Sequence, residues 1–196
     1  MVLFSPKSPK PVRKLLLMLL IPMLCFAQEG IYLKDGSSIK ISKDTKVIPG
    51  AKKLYYREPD KRRKSVKYSQ LDYAAWDGKL FRTVQQDGKN KGYFLLADQH
   101  GHSLAVFVQN KTKYTGGFQS PYKKYDLAEL RAGSVVQAIT FTNSNRDDNP
   151  AKRREAYEMV TRNFASCQKL IDRMPTVEAS AAVLAFLDEL TFTPCE

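Results

Sequence analysis

The segment Tyr73–Gln109, YAAWDGKLFRTVQQDGKNKGYFLLADQHGHSLAVFVQ, decides the fold. It holds the apolar and aromatic runs Tyr73–Trp76, Lys79–Gln85, Gly92–Ala97 and His102–Gln109. Between them stand Asp77-Gly78, Asp87-Gly88-Lys89-Asn90 and Asp98-Gln99-His100-Gly101. Glycine supplies the positive φ of a tight hairpin turn, and Asp is favoured beside it because its side chain bonds the local backbone. Short strands with polar turns at near-regular spacing predict an antiparallel β-meander that closes as a barrel or a small sandwich.

The same chemistry extends upstream. Ile31–Lys34, Asp35-Gly36 and Ser37–Ile41 read as strand, turn and strand, with Tyr32, Ile39 and Ile41 half-buried. After Val47-Ile48-Pro49-Gly50 and a break, Lys53–Arg57 (KLYYR) and Arg63–Tyr68 pair across the turn Glu58–Arg62. Downstream, Lys111–Phe118 and Gln119–Lys124 read as a longer connection, made irregular by Gly116-Gly117 and Pro121. Val135–Phe141 is the last strand, and Thr142–Asn149 is a loop rich in turn formers.

The hydrophobic period then changes. Asn149-Pro150 starts a helix, since Asn caps and Pro is tolerated in the first turn. Tyr157, Val160, Phe164, Cys167, Ile171 and Met174 recur at helical spacing, opposite Arg154, Glu155, Glu158, Arg162 and Lys169. Pro175 ends this helix. Thr176 caps a second one running through Leu190, with Val183, Leu184, Leu187 and Leu190 inward. The expected class is therefore α+β: an antiparallel β domain over residues 28–145 and a helical segment over residues 146–196 packed on it.

The N-terminus reads as a secretion signal over residues 1–27. Lys7, Lys10, Arg13 and Lys14 precede the apolar run Leu15–Phe26, which closes on Cys25-Phe26-Ala27. That run has 12 residues, short of the roughly 20 a spanning helix needs. A lipid anchor through Cys25 is the alternative; Leu24, before it, is larger than lipoprotein processing prefers. Cleavage after Ala27 leaves 169 residues and lowers the net charge from +12 to +8. It also leaves Cys167 and Cys195 as a pair, which an oxidising compartment would join into a disulfide closing 28 residues. The expected location is secreted or periplasmic, with no transmembrane segment after cleavage. Outside the cytoplasm nucleic acid is not an expected partner; an envelope protein or an anionic polysaccharide is.

The densest positive run, Lys61-Arg62-Arg63-Lys64, lies at a hairpin end flanked by Tyr55, Tyr56 and Tyr68. It is a candidate patch for an anionic ligand, against the simpler reading of a solvated turn. His100 and His102 flank Gly101 with only Asp98 nearby, too few ligands for a metal site. Asp72, Asp77, Asp87 and Asp98 all stand at turns, where Asp serves the backbone. No nucleophile elbow, HExxH, P-loop, dinucleotide fingerprint or CxxC is present, so no catalytic, metal or cofactor residue is assigned.

The stretches IYLKDGSSIKI (31–41) and KLYYREPDKRRKSVKYSQLDYA (53–74), the signal ending FAQ, and Cys167 with Leu170 and Ile171 carry a resemblance. They are similar to small uncharacterised secreted proteins of Bacteroidetes-type bacteria, in which a segment like VKYSQLDY (66–73) ends the first β unit. The resemblance implies an envelope or secreted location and no assigned activity. The expectation is an exported, non-catalytic binding or structural module of the envelope. Two alternatives stand beside it: an adhesin-like, anionic-ligand-binding module using residues 61–64, and a hydrolase with an unrecognised site.

Overall fold

The computed structural model describes residues 29–86, 88–99, 101–174 and 177–195. The expected signal segment with Cys25, and Asp87, His100, Pro175 and Thr176, lie outside the described residues. Among the described residues eleven strands precede the helices: β1 (Gly30–Leu33), β2 (Ser38–Lys40), β3 (Lys46–Pro49), β4 (Lys53–Arg57), β5 (Lys64–Lys67), β6 (Leu71–Trp76), β7 (Lys79–Gln86), β8 (Lys89–Gln99), β9 (His102–Thr115), β10 (Phe118–Arg131) and β11 (Ser134–Thr142). Helices α1 (Asn149–Asn163), α2 (Gln168–Ile171) and α3 (Ala179–Glu189) follow, then β12 (Thr193–Pro194).

The main sheet runs in the order β11-β10-β9-β8-β7-β6-β1-β2, every neighbour antiparallel, with β12 added parallel to β8. A second sheet has the order β3-β4-β5. Gly36, Gly78, Gly88 and Gly101 all have positive φ at the turns the sequence marked. The main sheet curls until residues of β11 come within 8 Å of β7, Cα to Cα, without pairing with it. It therefore stays open, and the architecture is sandwich-like.

One face of the main sheet meets both the small sheet and the helices in a continuous core. Phe81, Phe94, Leu104, Val106, Leu127 and Phe141 come from the sheet; Leu54, Tyr56, Val66 and Tyr68 come from the small sheet and its exit. Met159, Val160, Phe164, Val183, Phe186 and Leu187 come from the helices. Gly92 is a point of close approach: a Cβ there would sit 2.1 Å from Phe81 Cζ and 2.8 Å from Tyr68 Cζ. The opposite face holds a smaller cluster around Val84, Tyr93, Leu95, Ala105 and Leu130.

Two expectations are corrected. The supposed irregular connection over 111–124 is regular: β9 and β10 form one long hairpin, turning at Gly116-Gly117 with φ of 56° and 83°. Pro121 is accommodated because, among the described residues, β10 there pairs with β9 alone; β11 joins from Lys124 onward. The single helix expected to reach Met174 breaks after Asn163. Phe164 takes φ −122°, the chain makes a turn, and α2 begins after Cys167. The break keeps Phe164, Cys167, Leu170 and Met174 buried while Ile171 stays at the edge. The second helix starts at Ala179, with the Glu178 side chain accepting from the Ala181 N–H.

Cys167 and Cys195 form the expected disulfide, with Cα atoms 5.1 Å apart. Closing its 28-residue loop stabilises the fold by about 3–4 kcal/mol on chain-entropy grounds. One fully buried Leu or Phe contributes about 1.5–3 kcal/mol. The apolar faces of α1 and α3 therefore outweigh the disulfide in docking the helices. The bridge's specific work is on the tail: it seats β12, where Thr193 lies beside Ala97 and the Cys195 N–H bonds the Asp98 carbonyl. Among the described residues no helix is long and apolar enough to cross a membrane.

Candidate functional site

The small sheet has two unlike faces because its strands alternate. Leu54, Tyr56 and Val66 point into the core. The other set, Lys46, Ile48, Lys53, Tyr55, Arg57, Ser65 and Lys67, is exposed or half-buried. Register puts Lys46 opposite Arg57, Ile48 opposite Tyr55, Lys53 opposite Lys67 and Tyr55 opposite Ser65. The outer face thus has a cationic pair at each end, separated by four residues of β4, about 13 Å. Ile48 and Tyr55 lie between them.

Like charges directly opposite each other destabilise a sheet. Among the described residues no carboxylate pairs with Lys46, Lys53, Arg57 or Lys67. Residues 43–67 hold ten Lys and Arg against three carboxylates, so the chain's positive surplus is concentrated here.

The run Lys61–Lys64 occupies the β4–β5 connection at one end of this face. Its members do different things. Lys61 pairs with Glu58, whose carboxyl is held below its usual range first by that hydrogen bond and then by the charges of Lys61 and Lys64. Arg62 is exposed. Arg63 turns back, its guanidinium carbon 3.7 Å from the centroid of Tyr55. Lys64 opens β5 opposite Tyr56. Of the three tyrosines flanking the run, Tyr56 and Tyr68 are core residues, and only Tyr55 belongs to the outer face. The Tyr68 hydroxyl donates to the Gly50 carbonyl at 2.6 Å; burial pushes its pKa far up, so it serves as a neutral donor.

Reading charge runs misses Lys46, Arg57 and Lys67, which stand singly in the sequence, and Lys53, which has only Lys52 beside it. The signal that finds them is the period of two in Lys53-x-Tyr55-x-Arg57 and Lys46-x-Ile48.

No protein family, curated protein or solved structure matches this chain. The functional reading therefore rests on its own side chains.

Those of the remaining candidates that lie among the described residues make structural contacts. Asp77 pairs with Lys79 at 2.7 Å, Asp72 stands 4.0 Å from Arg82, and Asp98 accepts from the Ser103 hydroxyl at 2.6 Å. His102 places Nε2 2.9 Å from Glu129 Oε1, with its ring stacked on Phe164. Glu129 is buried and also takes Arg131 and Asn163. This cluster ties the end of α1 to the sheet. Among the described residues no three His, Cys, Asp or Glu gather as a metal site. A groove of about 610 Å³ runs between Tyr73, Leu80, Arg82 and Phe192, with an apolar floor.

Proposed function

We propose that the chain is an exported, non-catalytic binding module of the cell envelope, and that it takes an acidic polysaccharide on the outer face of the small sheet. The observation that carries this reading is the register: two cross-strand pairs of like positive charge, without carboxylate partners among the described residues, on either side of Tyr55. Such a face costs stability until an anion lies across it. A chain of sugar acids supplies spaced carboxylates for the two cationic pairs and sugar C–H faces for Ile48 and the aromatic centre. Arg63, held over Tyr55, presents its remaining N–H donors beside that centre. The signal over residues 1–27, the disulfide and the resemblance to secreted envelope proteins support an exported setting.

The test is retention on immobilised polygalacturonate against neutral dextran. Binding to the acidic polymer is expected to weaken strongly between about 50 and about 500 mM salt, as exposed charges are screened over a few ångströms. Retention that is insensitive to salt, or equal on dextran, overturns the reading.

A further inference from the structure

The long hairpin outruns the sheet that carries it. On β9, pairing with β8 ends at Val106; on β10, pairing with β11 begins at Lys124. Beyond these points the ribbon to Thr115 and Phe118 pairs only with itself among the described residues. The free length is roughly 20 Å at strand rise. Its base is fixed: Lys123 pairs with Asp188 of α3 at 2.8 Å, and its N–H bonds Asn143.

The end of the ribbon is unlike the rest of the surface. Tyr114 and Phe118 are 71% and 78% exposed, more than any other large hydrophobic of the described chain. Register puts them on opposite faces, Phe118 across from Thr115 and Tyr114 across from Gln119. The apex between them is Gly116-Gly117, which presents no side chain. Lys113, opposite Ser120, and Lys111, opposite Tyr122, follow on the Phe118 face. No Asp or Glu occurs between Asp98 and Asp126.

We infer that this ribbon is a membrane-docking arm that sinks Tyr114 and Phe118 into the interface of an anionic bilayer. The distances match the occupant. Interfacial anchors penetrate about 5–10 Å below the headgroups. Lys113 stands two residues behind the tip, about 7 Å, so its ammonium lies at the phosphates when the rings are buried. Lys111 follows one strand repeat further back. Aromatic rings on both faces suit a lipid surface, which surrounds the tip, better than a flat protein surface, which meets one face. A second copy would set the same lysines against each other.

The test uses the full secreted chain with vesicles of phosphatidylglycerol and phosphatidylcholine in equal parts, and of phosphatidylcholine alone. The tip is outside the core, so Y114S/F118S, K111E/K113E and F118W are expected to keep the wild-type circular dichroism. The tip double substitution should lower co-sedimentation with the mixed vesicles by at least about tenfold. K111E/K113E should remove most of the preference for the anionic vesicles. F118W, corrected for Trp76 by titrating the wild type in parallel, should shift to the blue on mixing and be quenched by brominated acyl chains. Emission from F118W that stays unshifted while the protein sediments assigns membrane contact to the basic small sheet and overturns the arm. Undiminished sedimentation of the tip variant, or no sedimentation of the wild type, overturns it as well. So does a tip variant that changes only self-association in ultracentrifugation, which would make the arm a contact between copies.

Discussion

Arg63 holds its guanidinium carbon 3.7 Å from the centroid of the Tyr55 ring, and that ring leans on Gly50. A Cβ added at Gly50 would sit 2.6 Å from Tyr55 Cε2, below any normal contact. The same glycine closes the β3–β4 turn through its N–H to the Lys53 carbonyl, and its own carbonyl takes the Tyr68 hydroxyl. A residue without a side chain therefore sets the pose of the aromatic centre and of the arginine above it.

Gly50→Ala should displace the Tyr55 ring, cost about 1–2 kcal/mol of stability, and weaken acidic-polymer binding. Tyr55→Ala should weaken binding by itself, because Arg63 loses a contact worth about 0.5–1 kcal/mol and its fixed position. If both act through the ring, Gly50→Ala should have no further effect on binding in the Tyr55→Ala background. A double-mutant cycle on polymer affinity checks this, and additive losses would refute the shared route.

Reducing the Cys167–Cys195 bridge, or Cys167→Ser, should lower unfolding free energy by about 3–4 kcal/mol without removing the helices from the sheet. The released element is the tail. Amide exchange at Thr193 and Cys195 should accelerate far more than at Met159 or Phe186, whose docking rests on burial. Equal acceleration at both places would show that the bridge holds the helices too.

What the sequence made legible was its turn chemistry. Asp35-Gly36 and Asp77-Gly78 mark hairpins because glycine takes positive φ at little cost and Asp tolerates it, as Asp77 does at 49°, and strands on either side follow. Gly116-Gly117 is the same kind of turn, yet with Pro121 close behind it reads as irregular loop. The sequence does not say that β10 has a single neighbour at that position, and this is what makes proline tolerable. Periodicity likewise carries the first helix past Phe164. The turn at residues 164–167 keeps the apolar spacing, so the pattern is blind to it. The basic face was half legible. The run Lys61–Lys64 points to the right hairpin, but the cationic pairs exist only once β3, β4 and β5 are in register.

Tyr125 should make stability fall at alkaline pH. Burial, then the Asp188 charge and its hydrogen bond, push its pKa from 10.0 up to about 12. Its unfolded value is near 10, so above that pH the folded state holds a proton that the unfolded state has lost. The contribution is intact below about pH 10 and is lost as pH rises through about 12. Tyr68 shifts in the same direction by burial. Denaturant titrations at about pH 9 and about pH 11 should show this decline, and Tyr125→Phe should flatten part of it. An unchanged slope in Tyr125→Phe would remove Tyr125 as its source.

Arg153 is a buried cation satisfied by two backbone carbonyls and two neutral side chains. Its guanidinium donates to the Thr142 and Ser144 carbonyls at 2.9 and 2.7 Å, to Asn145 Oδ1 at 2.8 Å and to Ser180 Oγ at 2.8 Å. It thus ties the 142–145 loop to α1 and α3. Burial lowers its pKa, yet arginine starts so high that it stays charged at any ordinary pH. Arg153→Met fills similar space but strands those acceptors, so a loss of about 3 kcal/mol is expected in chemical denaturation. Arg153→Lys should recover less than half, because one ammonium cannot span four acceptors. Full recovery by lysine would mean that charge alone matters there.

Lys53→Glu separates function from stability most sharply. Lys53 faces Lys67 directly across β4 and β5, and no carboxylate neutralises either among the described residues. Replacing one of two opposed like charges with the opposite sign converts repulsion into a cross-strand ion pair, a gain of roughly 0.3–1 kcal/mol. The same change takes two units of positive charge from one end of the proposed polymer track. The variant should therefore unfold at higher denaturant and bind polygalacturonate less, with a weaker dependence on salt. Lys67→Glu should act alike, and the Lys53→Glu/Lys67→Glu double should lose both the stability gain and what binding is left. A variant that is less stable and binds less would mean only damage to the sheet. One that is more stable with unchanged binding would take the small-sheet face out of the function.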